Sequence, residues 1–305
     1  MPYYTMPDGE NLFVREIGQG EPVLVLSGLG MQSWQWLPFL LPNIKKFKFI
    51  IPDWRGFGGS KSCKIPQDLD AIQSHWRDID CLIEHLQLDQ FILLAYSMGA
   101  TTAMHGMQYG QLNGKLKAYL HIDQTPKIPS DASWEYGLFG KKHLKFKRFL
   151  KDFSDFQHQY QHVRFVDELP NEPRTRLVQM WINFIKIQGS NKISPFIFNL
   201  ALKRPQLQKH LLPIRRMDYI TWYIDNYLNH DEDYRAAIAQ LTCPTTFFIG
   251  ENSSLYPSIG QKIVSDSMHN AENIIFKNSG HTPLITEPFK FGHEIQLFLN
   301  RTNNT

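Results

Sequence analysis

Four side chains in this chain of 305 residues have types and settings that suit proton and acyl transfer. Ser97 stands in "LLAYSMGATT", where an apolar run meets a segment of small residues. His281 stands in "NSGHTPLITEP", just after the last strand-like run. Asp123, in "HIDQTPKIP", and Glu251, in "GENSSLYP", each follow an apolar run of their own. A serine hydroxyl is a weak nucleophile near neutral pH. An imidazole that takes its proton during attack, and returns it to the leaving group, removes that weakness. A carboxylate behind the imidazole orients it and balances the charge it acquires.

The elements that must position these groups can be read from periodicity. "VLVLSG" (23–28), "FKFIIPD" (47–53), "FILLAYS" (91–97), "AYLHIDQ" (118–124), "TTFFIG" (245–250) and "NIIFKN" (273–278) are short apolar runs. Continuously apolar strands separated by helices indicate a mainly parallel, doubly wound α/β sheet covered on both faces. One such helix is expected within 68–89, with Ile72, Trp76, Ile79, Leu82, Ile83 and Leu86 on one face. Another is expected at the end of the chain, with Pro288 in its first turn. In an open parallel sheet the reactive groups belong at the carboxyl ends of the strands. Ser97 follows one strand there and precedes a helix start. Ala95 and Gly99, two positions to either side, leave room for a sharp turn. Such a turn lifts the hydroxyl clear and points the Met98 amide, at a helix N-terminus, toward developing negative charge.

These stretches resemble the α/β-hydrolase superfamily, in its serine hydrolase branch with a helical cap. The matching stretches are "DGENLFVREIGQGEPVLVLSGLG", "DWRGFGGS", "AYSMG", "CPTTFFIG" and "GHTPLITEP", in that order. The resemblance implies Ser97 as nucleophile, His281 as general base, and the amides of Leu29 and Met98 as an oxyanion hole. It makes "DWRGFGGS" a structural loop. Gly28, Trp34 and Tyr96 are the expected substrate contacts.

Three positions depart from the family pattern. Ala95 replaces the first glycine of the turn, and Ser27 replaces the histidine common before the oxyanion glycine. Ser253 stands where the acid usually does, three residues past Gly250. Asp123 is the favoured replacement, because a carboxylate at the end of a buried strand is costly without donors to accept. It also preserves the chain order of nucleophile, acid and base. Glu251 is the alternative acid.

Residues 1–126 and 236–305 are expected to form the core domain. Residues 127–235 lack buried-strand signals and are read as a helical cap inserted after the strand ending at Asp123. That segment carries Trp134, Tyr136, Phe139, Phe153, Phe156, Tyr160, Trp181, Phe184, Phe196, Phe198, Trp222 and Tyr223. Most should pack the cap itself, and some should line an apolar pocket suited to acyl chains. Its basic run "KKHLKFKRFLK" (141–151) reads as a solvated helix face, with contact to a membrane or an acidic partner as the other reading.

A net charge of +3 gives no reason to expect nucleic acid. The polar, turn-rich opening is not of signal-peptide type. Three separated cysteines suit a reducing cytoplasm. No cofactor or metal is expected, since the histidines have no ligand spacing. The activity implied is hydrolysis of a carboxylic ester, thioester or lactone with a hydrophobic acyl part, acyl lactones of signalling type included. The other readings are a receptor-like binding protein, motivated by Ser253, and an acyltransferase using the same triad.

Overall fold

The computed structural model describes residues 2–187 and 216–302, the side chains of 184–187 excepted. Eight strands form one sheet: β1 Tyr3–Thr5, β2 Asn11–Gly18, β3 Glu21–Leu26, β4 Phe47–Pro52, β5 Phe91–Tyr96, β6 Leu116–Ile122, β7 Thr245–Gly250 and β8 Ala271–Phe276. The helices are α1 Leu37–Leu40, α2 Ala71–His85, α3 Met98–Tyr109, α4 Leu112–Lys115, α5 His143–Gln159, α6 Asn171–Ile187, α7 Met217–Asn229, α8 Arg235–Ala239, α9 Ser258–Asp266, α10 Pro283–Thr286 and α11 Pro288–Thr302.

The strand order is β1-β2-β4-β3-β5-β6-β7-β8, parallel from β4 to β8. All six apolar runs are strands of this parallel part. The chain's opening adds two strands that a search for apolar runs passes over. In β2 the residues Arg15 and Glu16 are half-buried, and the strand pairs antiparallel with β4 and β1.

Strand alternation divides the core between two layers. Val23, Val25, Phe49, Ile51, Ile92, Leu94, Tyr96, Leu120, Ile122 and Phe248 share one cluster with Trp36, Leu40 and the α11 residues Phe291, Ile295, Phe298 and Leu299. On the other side, α3 packs against β5 and β3, and α2 packs against α3. Asp70 caps α2 by accepting from the Gln73 amide at 2.8 Å, and the Gln73 side chain accepts from the Asp70 amide. Ile72, Trp76, Ile79, Leu82 and Ile83 are buried, as the helical period requires.

The loop after β4 is tied down by charge. Asp53 accepts from the Ser33 amide at 2.6 Å and the Gly59 amide at 2.9 Å. Fully buried Arg55 makes paired bonds to Asp78 and to Asp8.

Two compact units emerge, Met1–Gly140 with Asp231–Thr305, and Lys141–His230. Residues 127–140 and 231–235 therefore pack with the sheet unit, inside the segment read from sequence as cap. The cause is local bonding. Lys127 pairs with Asp131 at 2.6 Å and with Asp233 at 3.7 Å, and the Trp134 indole donates to Thr125 at 3.0 Å. In the second unit α5 packs against α7, and Ser154 donates to Asp225 at 2.7 Å. Phe146, Leu150, Phe153 and Phe156 of α5 are buried, while Lys145, Lys147, Arg148 and Lys151 are exposed. The Phe184 side chain, Phe196 and Phe198 lie outside the described residues. No helix among the described residues is long and apolar enough to cross a membrane.

Two buried imidazoles make stability depend on pH. His121 lies on β6 between the Tyr119 hydroxyl at 2.9 Å and the Gln124 carbonyl at 3.0 Å. Burial lowers it from 6.5 to about 4. His75 stacks on Trp54, and burial, with Arg55 beside it, lowers it from 6.5 to about 3. Below the ordinary value the unfolded chain binds protons that the folded chain refuses. Stability is therefore greatest above pH 6.5 and falls until about pH 4 for His121 and pH 3 for His75. Each should cost about 2 kcal/mol by pH 5. Urea midpoints at pH 7 and pH 5 should show this loss, and His75→Gln should make it shallower. Equal midpoints at the two pH values would refute it.

Candidate active site

The site grows from the carboxyl ends of β3, β5, β6 and β7. Ser97 sits between β5 and α3 with φ +53° and ψ −121°, a conformation that costs energy for an L-residue. Its amide donates to the Ile122 carbonyl at 3.0 Å. Its carbonyl accepts from Ala100 at 2.8 Å and Thr101 at 3.1 Å. These bonds hold the turn. Gly99 permits it, since a Cβ there would lie 2.3 Å from the Leu26 carbonyl oxygen.

Ser97 Oγ is 3.0 Å from His281 Nε2, and His281 Nδ1 is 2.7 Å from Asp123 Oδ2. A carboxylate only accepts, so the proton sits on Nδ1. The Nε2 lone pair then faces the serine, whose hydroxyl donates to it.

Asp123 is fully buried and also has positive φ, +42°. Its backbone amide donates to Phe248 at 2.9 Å. Oδ1 accepts from the Gly250 amide at 3.0 Å and from Gln261 Nε2 at 3.1 Å. Oδ2 accepts from the Ser253 hydroxyl at 2.8 Å as well as from His281. Four donors offset the desolvation of this charge.

Ser253 thus occupies the family's usual acid position as a donor to a carboxylate on the neighbouring strand. Its motif position marked it as unusual, but its partner could not be read there. Nothing in the sequence marks Gln261, which α9 supplies. The Glu251 side chain is exposed. Its backbone amide and carbonyl are taken by Phe276 and Ser258, and Asp123 already holds the Nδ1 edge of His281.

The loop Ser27–Gly30 leads away from β3. The Trp36 indole donates to Ser27 Oγ at 3.0 Å and the Trp54 indole to the Ser27 carbonyl at 2.7 Å. Two buried tryptophans therefore hold this loop where the family commonly has a histidine. The amides of Leu29 and Met98 have no hydrogen-bond partner among the described residues. A Cβ on Gly28 would meet the Tyr96 ring at 2.9 Å and Ser97 Cβ at 3.3 Å, so this backbone touches the serine.

Of the expected substrate contacts, Trp34 is exposed and Tyr96 lies against His281. Trp34 is 54% exposed and its indole donates to Gln32 at 3.2 Å. Tyr96 is buried because it continues the inward series Ile92, Leu94, Tyr96 of β5. Its hydroxyl donates to the His281 carbonyl at 2.9 Å. No cluster of metal-ligating side chains occurs among the described residues.

The fold that carries this serine, imidazole and carboxylate has counterparts. The profile of the α/β hydrolase fold matches residues 21–288. The chain belongs to the α/β hydrolase fold family. Among curated relatives of this α/β hydrolase, the AB hydrolase superfamily protein YisY of Bacillus subtilis is 25% identical, over 98% of each chain. A pimeloyl-[acyl-carrier protein] methyl ester esterase of Legionella pneumophila is 21% identical, over 90% of this chain and 94% of its own. Among solved structures, an esterase from Exiguobacterium antarcticum superposes with a TM-score of 0.73 at 18% identity. It covers 98% of this chain and 99% of its own.

Proposed function

We propose that this α/β hydrolase is a serine esterase that cleaves a carboxylic ester, thioester or lactone with a hydrophobic acyl part through an acyl-enzyme. The observation that carries this reading is the unbroken chain Ser97 Oγ, His281 Nε2, His281 Nδ1, Asp123 Oδ2, with steps of 3.0 and 2.7 Å. Ser97 attacks the acyl carbon as its proton passes to Nε2, and the carbonyl oxygen gains negative charge. The Leu29 and Met98 amides are the groups we assign to that oxygen, each contributing about 10²–10³ in rate. Collapse of the intermediate breaks the bond to the leaving group, which takes the proton from Nε2. Water activated by the same imidazole then hydrolyses the acyl-enzyme.

Asp123 orients His281 throughout. Its bond to His281 supports the hydrolase over a binding protein, a reading motivated by the lack of an acid at Ser253. The ester preference has support from relatives named as esterases, one of them for a carrier-bound methyl ester. The apolar acyl part rests on the aromatic content of residues 127–235.

The purified protein should be labelled by an active-site-directed fluorophosphonate and should turn over members of a panel of acyl esters and lactones. Ser97→Ala should abolish labelling and lower kcat by at least about 10⁴-fold. A folded wild type that neither labels nor turns over any panel member would overturn this reading.

A further inference from the structure

His281 is gripped by more than its two hydrogen-bond partners. The Tyr96 ring stacks on the imidazole, with centroids 5.2 Å apart and planes 26° from parallel. The Tyr256 ring stands across it, also 5.2 Å away, at 69°. Both tyrosines are buried, 4% and 1% exposed. The Tyr96 hydroxyl also holds the backbone of the same histidine, donating to its carbonyl at 2.9 Å. Burial, with the Asp123 charge beside it, pushes that hydroxyl well above its ordinary 10, so it stays a donor.

Neither ring is free to drift. The Gly28 backbone closes on Tyr96, since a Cβ there would lie 2.9 Å from the ring. The Tyr256 carbonyl accepts from Gln261 at 2.9 Å, and its amide donates to Ser253 Oγ at 3.4 Å. Gln261 and Ser253 are the side chains that also hold Asp123. One segment, 250–261, thus fixes the carboxylate and one of the two rings.

We propose that Tyr96 and Tyr256 are positioning residues that clamp His281 in the plane joining Ser97 to Asp123, with the Tyr96 π-face stabilising the imidazolium formed during attack. This rests on the triad reading above. In that step the Ser97 O–H bond breaks, an N–H bond forms at Nε2, and the ring gains a positive charge while the acyl oxygen gains a negative one. A cation over an electron-rich aromatic face is attracted to it, and more strongly when both are desolvated. Stacking contributes equally to the resting and the charged state only if the ring merely fills space.

The test separates shape from charge. Tyr96→Phe keeps the ring and removes the hydroxyl, and should hold kcat within about 5-fold of wild type. Tyr96→Leu and Tyr256→Leu should lower kcat by about 30-fold or more, with KM within about 2-fold. Since a leucine variant can fail to fold, the deciding measurement keeps the shape. Phenylalanine rings of increasing fluorination at position 96 should lower kcat stepwise, reaching about 10-fold at full fluorination.

A flat fluorination series in a protein whose wild type labels with fluorophosphonate overturns the clamp alone. A Leu variant that folds and matches Tyr96→Phe in kcat does the same. A wild type that fails to label overturns the triad reading and the clamp together.

Discussion

Asp123→Asn is expected to lower kcat by about 10⁴-fold while leaving the protein folded. The carboxylate has two acceptor edges with different duties. Oδ1 serves the Gly250 amide and Gln261, and an amide oxygen placed there can serve both as well. Oδ2 serves the Ser253 hydroxyl and His281 Nδ1, and in the variant an NH₂ group faces them. The hydroxyl can rotate to accept. The imidazole can accept only by moving its proton to Nε2, which turns the wrong edge toward Ser97. The fold survives and the base is lost.

A second substitution probes the same geometry. Ser253 Oγ and His281 Nδ1 meet one oxygen, at 2.8 and 2.7 Å, so a carboxylate at 253 lies within reach of the imidazole. Ser253→Asp in the Asp123→Asn background should recover at least about 10-fold in kcat. Steady-state kinetics with circular dichroism as the fold control check both. An unchanged kcat in Asp123→Asn would remove Asp123 from the triad.

The second large effect is expected from one methyl group. Gly99→Ala should cost about 3 kcal/mol of stability and about 10²-fold in kcat. The new Cβ would stand 2.3 Å from the Leu26 carbonyl oxygen, 2.6 Å from its carbon and 2.8 Å from the Ser27 oxygen. All three are backbone atoms, at the end of β3 and in the loop that leaves it. No side chain can rotate away, so either α3 or the end of β3 must shift. Either shift separates the Met98 and Leu29 amides, the two groups we assign to the acyl oxygen. Urea unfolding and kcat, measured on one preparation, check the pair of effects. A variant with wild-type stability would show that this contact is softer than its geometry implies.

How much of this was legible beforehand follows from which forces are local. The five inner parallel strands are buried on both faces, so their composition alone marks them, and the edge strand β8 still carries the apolar run Ile274–Phe276. β1 and β2 flank the sheet with polar residues and carry no such mark. Ser97 and His281 could be matched by motif order. Asp123 stood out because a carboxylate ending a buried strand needs partners. The Oδ2 partnership of Ser253 and the Oδ1 partnership of Gln261 join segments about 130 residues from Asp123, and no local pattern encodes them. Tyr96 is a different lesson. The two-residue alternation of β5 places it with Ile92 and Leu94, but its stacking on His281, far along the chain, follows no such period. The division into compact units after Gly140 and before Asp231 has a third origin: Lys127, Asp131, Trp134 and Asp233 bond to the sheet unit and to each other.

Ser97 and Asp123 hang from neighbouring strands. The Ser97 amide bonds to Ile122 and the Asp123 amide to Phe248, so the sheet's own ladder sets their separation. His281 rides instead on the connection between β8 and α10, fastened by Ser279 and the Asn278 amide to Glu287 and by Tyr96. Local opening begins in such surface connections long before a central sheet gives way. Warming should therefore silence this protein reversibly, by letting its histidine swing out, at temperatures where the scaffold is still whole.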